Sequence, residues 1–137
     1  MSVILGLDFG LKRCGLAETD SSQLIASALK AIPSTELMRS LEAYIDRNDV
    51  EKLVIGQPIR EGGEVSAIEE NILLFIKSFK KKFPDIIVER QEESYTSIQA
   101  VQSMIQAGHG KNKRRKKENV DLVSATLILQ RYLENRR

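Results

Sequence analysis

Acidic residues stand where the apolar pattern of this chain breaks off, and their positions are the first sign of chemistry. Asp8 closes the apolar run 3–8, directly before Phe9-Gly10, and Glu92-Glu93 close a later run in the same way. Asp121 lies in a helical stretch. At 100° per residue it shares a face with Ala125, Ile128 and Tyr132, so its carboxylate points along a packed side and needs a partner there. The bland alternatives are a turn aspartate before glycine and a glutamate pair at a solvated strand edge. The rest of the inventory narrows the chemistry. The chain has one histidine, His109, and one cysteine, Cys14. That excludes a multi-histidine metal site, a cysteine-rich zinc site and an internal disulfide, and it fits a reducing compartment. A serine or cysteine nucleophile would depend on His109, which sits between glycines beside a basic run and reads as a loop residue. Cys14 reads as packing. Chemistry here must use carboxylates.

If the strands ending in Asp8 and Glu93 are neighbours, Asp8, Glu93 and Asp121 meet at one edge of a sheet. Gathered carboxylates raise one another's pKa unless a cation neutralises them. Oxygen ligands without imidazole or thiolate select Mg²⁺ or Mn²⁺. A pair of such ions clamps the attacking and leaving oxygens of a phosphodiester, so metal-dependent phosphoryl chemistry is the enzyme class that fits best. Charge placement points to the same substrate class. The net charge is only +2, but residues 111–118 hold six basic side chains and one acidic, so the remainder of the chain is net acidic. Lys111, Lys113, Arg114, Arg115, Lys116 and Lys117 are candidate phosphate contacts, and Lys12 and Arg13 are a second set beside Asp8. A polyanion repelled by the carboxylates needs such a basic arm to hold it. Flanked by Gly108 and Gly110, the arm reads as a loop that orders on nucleic acid; a merely solvated charged loop would look alike.

The elements that must position these groups follow from periodicity. Runs 3–8, 12–19 and 23–32 read as three strands in an antiparallel meander, with Cys14 and Leu16 on one face of the second and Arg13, Gly15 and Ala17 on the other. Ser34 opens a helix with Leu37, Leu41, Tyr44 and Ile45 at helical spacing. Residues 52–56 form a buried strand. Ser66 and Glu69 read as a capping box before a helix whose stripe is Ile68, Ile72, Phe75, Ile76, Phe79 and Phe83. A strand over 86–92, a helix opened by Thr96 and Gln99, and a last helix capped by Asn119 complete the order β-β-β-α-β-α-β-α-α. This order implies an α/β fold, a mixed five-stranded sheet with helices on both faces. Length and the absence of a linker fit one domain over 1–137.

Four motifs carry a resemblance to a known family. Leu5-Gly-Leu-Asp8-Phe-Gly10-Leu-Lys12-Arg13-Cys-Gly15-Leu-Ala17 resembles the opening motif of the YqgF/RuvX family, the Holliday-junction-resolvase-like proteins of the RNase H superfamily. Val54-Ile-Gly56-Gln-Pro58 with Gly63 is similar to its strand-end proline loop. Glu92-Glu93-Ser94-Tyr95-Thr96-Ser97 stands where the family has DERxTS, and Asn119-Val-Asp121-Leu-Val-Ser-Ala125 resembles its final helix. The resemblance spans the chain in family order. It implies an RNase H-like fold, acidic site residues at Asp8, Glu93 and Asp121, and a nuclease that matures the 5′ end of 16S rRNA or resolves Holliday junctions. Ser94 stands in place of the family's arginine, Glu92 of its aspartate, and Leu11 of a threonine. Arg60 and Gly62 replace an asparagine and an aspartate in the proline loop. None of these removes a candidate metal ligand.

The sequence therefore leads to a Mg²⁺- or Mn²⁺-dependent nuclease acting on structured RNA. A resolvase on branched DNA using the same site is second, and a non-catalytic nucleic-acid binder is third. An ATPase of the actin and sugar-kinase type shares the Asp-x-Gly strand end but needs two domains. Most of the seven aromatics fall on core helices, leaving no evident stacking platform for base reading. No apolar run approaches the roughly 18 residues of a membrane span, and the start lacks a signal peptide's basic region, so a cytoplasmic location is expected. Monomer and two-fold dimer both stay open.

Overall fold

The computed structural model describes residues 2–60, 62–94 and 113–136. Strands β1 (Val3–Asp8), β2 (Arg13–Thr19) and β3 (Ala26–Pro33) form the expected meander. A 3₁₀ turn and helix α1 (Leu37–Arg47) lead to β4 (Val50–Ile59); α2 (Glu69–Lys82), β5 (Ile87–Ser94) and α3 (Lys113–Asn135) follow. The sheet order is β3-β2-β1-β4-β5. β1 pairs antiparallel with β2 and parallel with β4, and β4 pairs parallel with β5, so the sheet is mixed as the element order implies. The helix expected from Thr96 and Gln99 lies outside the described residues.

Alternation along the strands sorts side chains onto two cores. Leu5 and Leu7 of β1, Cys14 and Leu16 of β2, and Leu53 and Ile55 of β4 pack with Leu37 and Leu41 of α1 and Ile72 and Phe79 of α2. The opposite face gives Ile4, Ala17 and Val54 to α3, through Ala125, Ile128, Leu129, Tyr132 and Leu133. The stripes read from the sequence on the three described helices are thus the packed faces. Period 2 then puts Asp8 on the α3 side with Ile4. Phe9, the next residue, turns to the other side and starts a ladder of rings, Phe9–Phe75–Phe79–Phe83, with centroids 5.7, 5.9 and 5.1 Å apart, which fastens the end of β1 to α2.

Small residues let α3 lie close on the sheet. A Cβ at Gly15 would stand 2.1 Å from the Asp121 carbonyl oxygen, and one at Gly6 would stand 2.8 Å from Leu129 Cβ. Only glycine permits the helix backbone to approach β2 and β1 this closely.

Several local expectations are corrected. Ser34 does not cap α1; its Oγ donates to the Gly10 carbonyl at 2.6 Å, and a 3₁₀ turn precedes the helix. Ser66 and Glu69 form no capping box. Helix α2 begins at Glu69 with no side-chain cap, because the Glu69 carboxylate is taken by Arg90, whose Nη1 and Nη2 each donate to it at 2.6 Å. This forked pair holds the Glu69 carboxyl below its usual range and is the stronger of the two uses. The third strand begins at Ala26; Gln23 has φ 58°, and Asp20 accepts the Leu24 and Ile25 amides in a turn. Asn119 is interior to α3, which starts at Lys113, so residues 113–117 of the basic run are helical and only 111–112 stay outside the described residues. Lysine and arginine are good helix formers and extend the helix backwards past the expected cap.

Candidate functional site

Three carboxylates are brought to one end of the sheet on the α3 side. Asp8 ends β1. β5 is not the neighbour of β1, as the convergence had been expected to require, because β4 lies between them. The gap is bridged at Gly56. This β4 residue has no side chain to fill the space under α3, and a Cβ there would stand 2.6 Å from Ile128 Cδ1 and 3.9 Å from Glu93 Cγ. Glu93 pairs with Pro58 at the end of β4 and shares the α3 face. Asp121 descends from α3 over Gly15, which in turn pairs with Asp8.

The electrostatics are those of clustered acids leaving water. Burial pushes the Asp8 carboxyl up to about 7, with the charges of Asp121 and Glu93 adding to the rise. Burial also raises Glu93, opposed by Arg131, and raises Asp121, opposed by Arg13. Arg13 Nε donates to Asp121 Oδ2 at 2.9 Å, and Arg131 Nη1 donates to Glu93 Oε2 at 2.5 Å. Glu93 is 5% exposed, and its other oxygen, Oε1, is buried with no hydrogen-bond partner among the described residues. Among the described residues no three histidine, cysteine, aspartate or glutamate side chains are arranged to hold a metal ion. Two of the acids are instead paired with arginines.

Arg13 is therefore engaged with a carboxylate rather than left open to solvent. Lys12 is exposed in the β1–β2 turn, and its carbonyl accepts the Ser34 amide. Lys113, Arg114, Arg115, Lys116 and Lys117 lie on the opening turns of α3, with Lys117 exposed; Lys111 is outside the described residues. At about 1.5 Å rise per residue, Lys117 is about 6 Å and Lys113 about 12 Å from Asp121 along the helix axis. Two functional neighbours escaped the sequence reading. Arg131 sits ten residues after Asp121, off its stripe, and carries no motif. Arg90 donates to the Ile55 and Gly56 carbonyls at 3.2 and 3.0 Å while gripping Glu69, and so ties α2 to the β4 end that adjoins Glu93. Its one signal was a basic residue among the acidic and amide residues of a strand.

A mixed sheet in this order, with helices on both faces and acids at the ends of β1 and β5 and on the helix above them, defines an RNase H-like fold. Solved structures agree. The fowlpox virus Holliday junction resolvase is similar with a TM-score of 0.53 at 18% identity, over 97% of this chain and 99% of that one. The same viral resolvase with its substrate Holliday junction DNA gives 0.52 at 16% identity, over 98% of both chains. The chain belongs to the RuvX family, described as Holliday junction resolvase, whose model matches residues 2–135. Among curated relatives, one from Bacteroides thetaiotaomicron is 42% identical over all of this chain and 99% of its own length. One from Christiangramia forsetii is 47% identical over 97% of this chain and 98% of its own. Both are named "Putative pre-16S rRNA nuclease". No helix among the described residues is long and apolar enough to cross a membrane.

Proposed function

We propose that residues 1–137 form one metal-dependent nuclease domain that hydrolyses phosphodiester bonds, acting in the cytoplasm in maturation of the 5′ end of 16S rRNA. The observation that carries this reading is the meeting of Asp8, Glu93 and Asp121 at one sheet end, close enough that two of them raise the pKa of the third. The donor types suit Mg²⁺ or Mn²⁺, all oxygen and net negative, with one glutamate oxygen buried and unpartnered among the described residues; with Arg131 on Glu93 and Arg13 on Asp121 the three carboxylates are not closed on a common point, so binding an ion requires both pairs to open. Asp8, Glu93 and Asp121 would hold the ion, and when bound it supplies Lewis-acid stabilisation of the attacking and leaving oxygens. The chain's own contribution is placement. β1, through the Phe9 anchor, fixes Asp8; the Pro58 pairing fixes Glu93; and the basic opening of α3 holds the polyanion within about 12 Å of Asp121. The names of the full-length relatives favour precursor rRNA as substrate, and the family description keeps branched DNA as the second reading.

The test is cleavage of a precursor 16S rRNA 5′ fragment and of a four-way DNA junction, at equal Mn²⁺, by the parent and by Asp8→Asn. The parent is expected to cut the RNA faster than the junction, and the variant to cut neither. An equally active variant would remove Asp8 from the site. Faster junction cleavage would move the substrate to DNA, and a parent that binds both but cuts neither in any metal would make the chain a binding protein.

A further inference from the structure

The two arginines at the site differ from the acids they touch in how firmly they are held. The Glu93 side chain is 7% exposed and Arg131 is 37%; Asp121 is 15% and Arg13 is 32%. The carboxylates are built into the fold, whereas the guanidinium groups reach them from solvent on long flexible stems. The pairing at Glu93 is also incomplete. Arginine can engage both oxygens of a carboxylate with its fork, yet Arg131 takes Oε2 and leaves Oε1 buried without a partner among the described residues. An oxygen withdrawn from water and left unsatisfied is a costly feature for a structural ion pair. It is the expected feature of a ligand atom whose cation is still to come. Among the described residues no cation pairs with Asp8, and the two arginines are the cations paired with the other two acids.

We propose that Arg131 is a stand-in cation that holds Glu93 in the metal-free protein, yields it to a divalent ion, and then contacts the phosphodiester backbone of bound nucleic acid. Arg13 does the same at Asp121. The proposal rests on the metal-dependent nuclease reading. The exchange follows from charge. A divalent ion on Glu93 repels the guanidinium, and the nearest new anion is the phosphate that the substrate brings to the same place. Because Arg131 lies on the solvent side of the pair, it can swing without disturbing Glu93. Holding the acids with arginines until then prevents the site from flying apart by self-repulsion. It also makes metal binding and substrate binding share one pair of side chains.

The signature is a change of opposite sign in two affinities. Mn²⁺ is titrated calorimetrically into the full chain and into Arg131→Gln without nucleic acid; the KM for a precursor 16S rRNA 5′ fragment is then measured at saturating Mn²⁺. Removing the competing charge should tighten Mn²⁺ binding about threefold or more. Losing the phosphate contact should raise KM about tenfold, the scale of one charge-assisted hydrogen bond, with a smaller change in kcat. Arg131→Lys keeps the charge without the fork and should fall between parent and Arg131→Gln in both readouts. It also decides the matter if Arg131→Gln fails to fold. Weaker Mn²⁺ binding in either variant would make Arg131 a brace for Glu93 and overturn the proposal alone. A parent that binds no Mn²⁺ would overturn the metal reading and the proposal with it.

Discussion

Replacing Asp8 by asparagine should stabilise the metal-free protein, by an amount that depends on pH in a defined way. The folded-state pKa of about 7 lies above the ordinary 3.8, so between these values the folded protein binds more protons at Asp8 than the unfolded chain does. Asp8 therefore costs nothing below about pH 4, and stability is lost as pH rises through the interval up to about 7. At about 1.4 kcal/mol per pH unit the full displacement corresponds to about 4 kcal/mol. Asp8 is half-buried, so water relaxes part of this, and a gain of about 2–4 kcal/mol is expected for the variant above pH 7. Asparagine matches the shape and removes the charge. Urea unfolding of the parent and Asp8→Asn in EDTA at pH 4, 5, 6, 7 and 8 should give coincident midpoints at pH 4 that separate steadily and then plateau. A variant no more stable than the parent at pH 8, or a difference that does not vary with pH, would refute the electrostatic reasoning.

Gly15→Ala should destabilise the protein by about 1–3 kcal/mol and weaken Mn²⁺ binding together. The new Cβ would stand 2.1 Å from the Asp121 carbonyl oxygen, so α3 has to lift and take the carboxylate with it. Denaturant midpoints and calorimetry check it; unchanged values would mean that α3 does not depend on this contact. Arg90→Ala should cost about 2–3 kcal/mol because it leaves the Glu69 carboxylate with Gln57 as its remaining side-chain donor and takes a donor from two carbonyls. The double replacement Arg90→Met with Glu69→Met should recover part of that loss. Additive losses in the double variant would refute the clasp.

What the sequence revealed was whatever depends on repetition along one element. The Ile72 and Phe79 stripe, the Leu37 and Leu41 stripe and the Ala125, Ile128 and Tyr132 stripe each bury a face that their own spacing announces. Asp121 was legible for the same reason, since helical spacing assigns its carboxylate to the packed side, and Asp8 was legible because it closes an apolar run at a strand end. Glu93 was legible mainly through its place in a motif. What failed were local rules overridden by distant partners. Ser66 and Glu69 have the spacing of a capping box, but Arg90, 21 residues further on, offers Glu69 a forked pair, and Ser34 finds the Gly10 carbonyl instead of a helix amide. Asn119 has the preferred cap residue type, yet the basic residues before it are better helix formers than loop formers. The pairing of Arg131 with Glu93 spans 38 residues and that of Arg13 with Asp121 spans 108. No pattern in a single sequence encodes such contacts. The crossover that inserts β4 between β1 and β5 was also not readable from strand order. The acids meet across it because the intervening residue is Gly56, which opens space on the α3 face.

On the proposed function, Asp8, Glu93 and Asp121 together hold a divalent metal ion. The most direct measurement is anomalous X-ray diffraction from crystals of the full chain grown with MnCl₂. An anomalous peak is expected at about 2.0–2.3 Å from a carboxylate oxygen of each of the three residues, with Arg131 and Arg13 turned away from Glu93 and Asp121. Crystals with no peak there, and with both arginines still on their acids at saturating Mn²⁺, would contradict it.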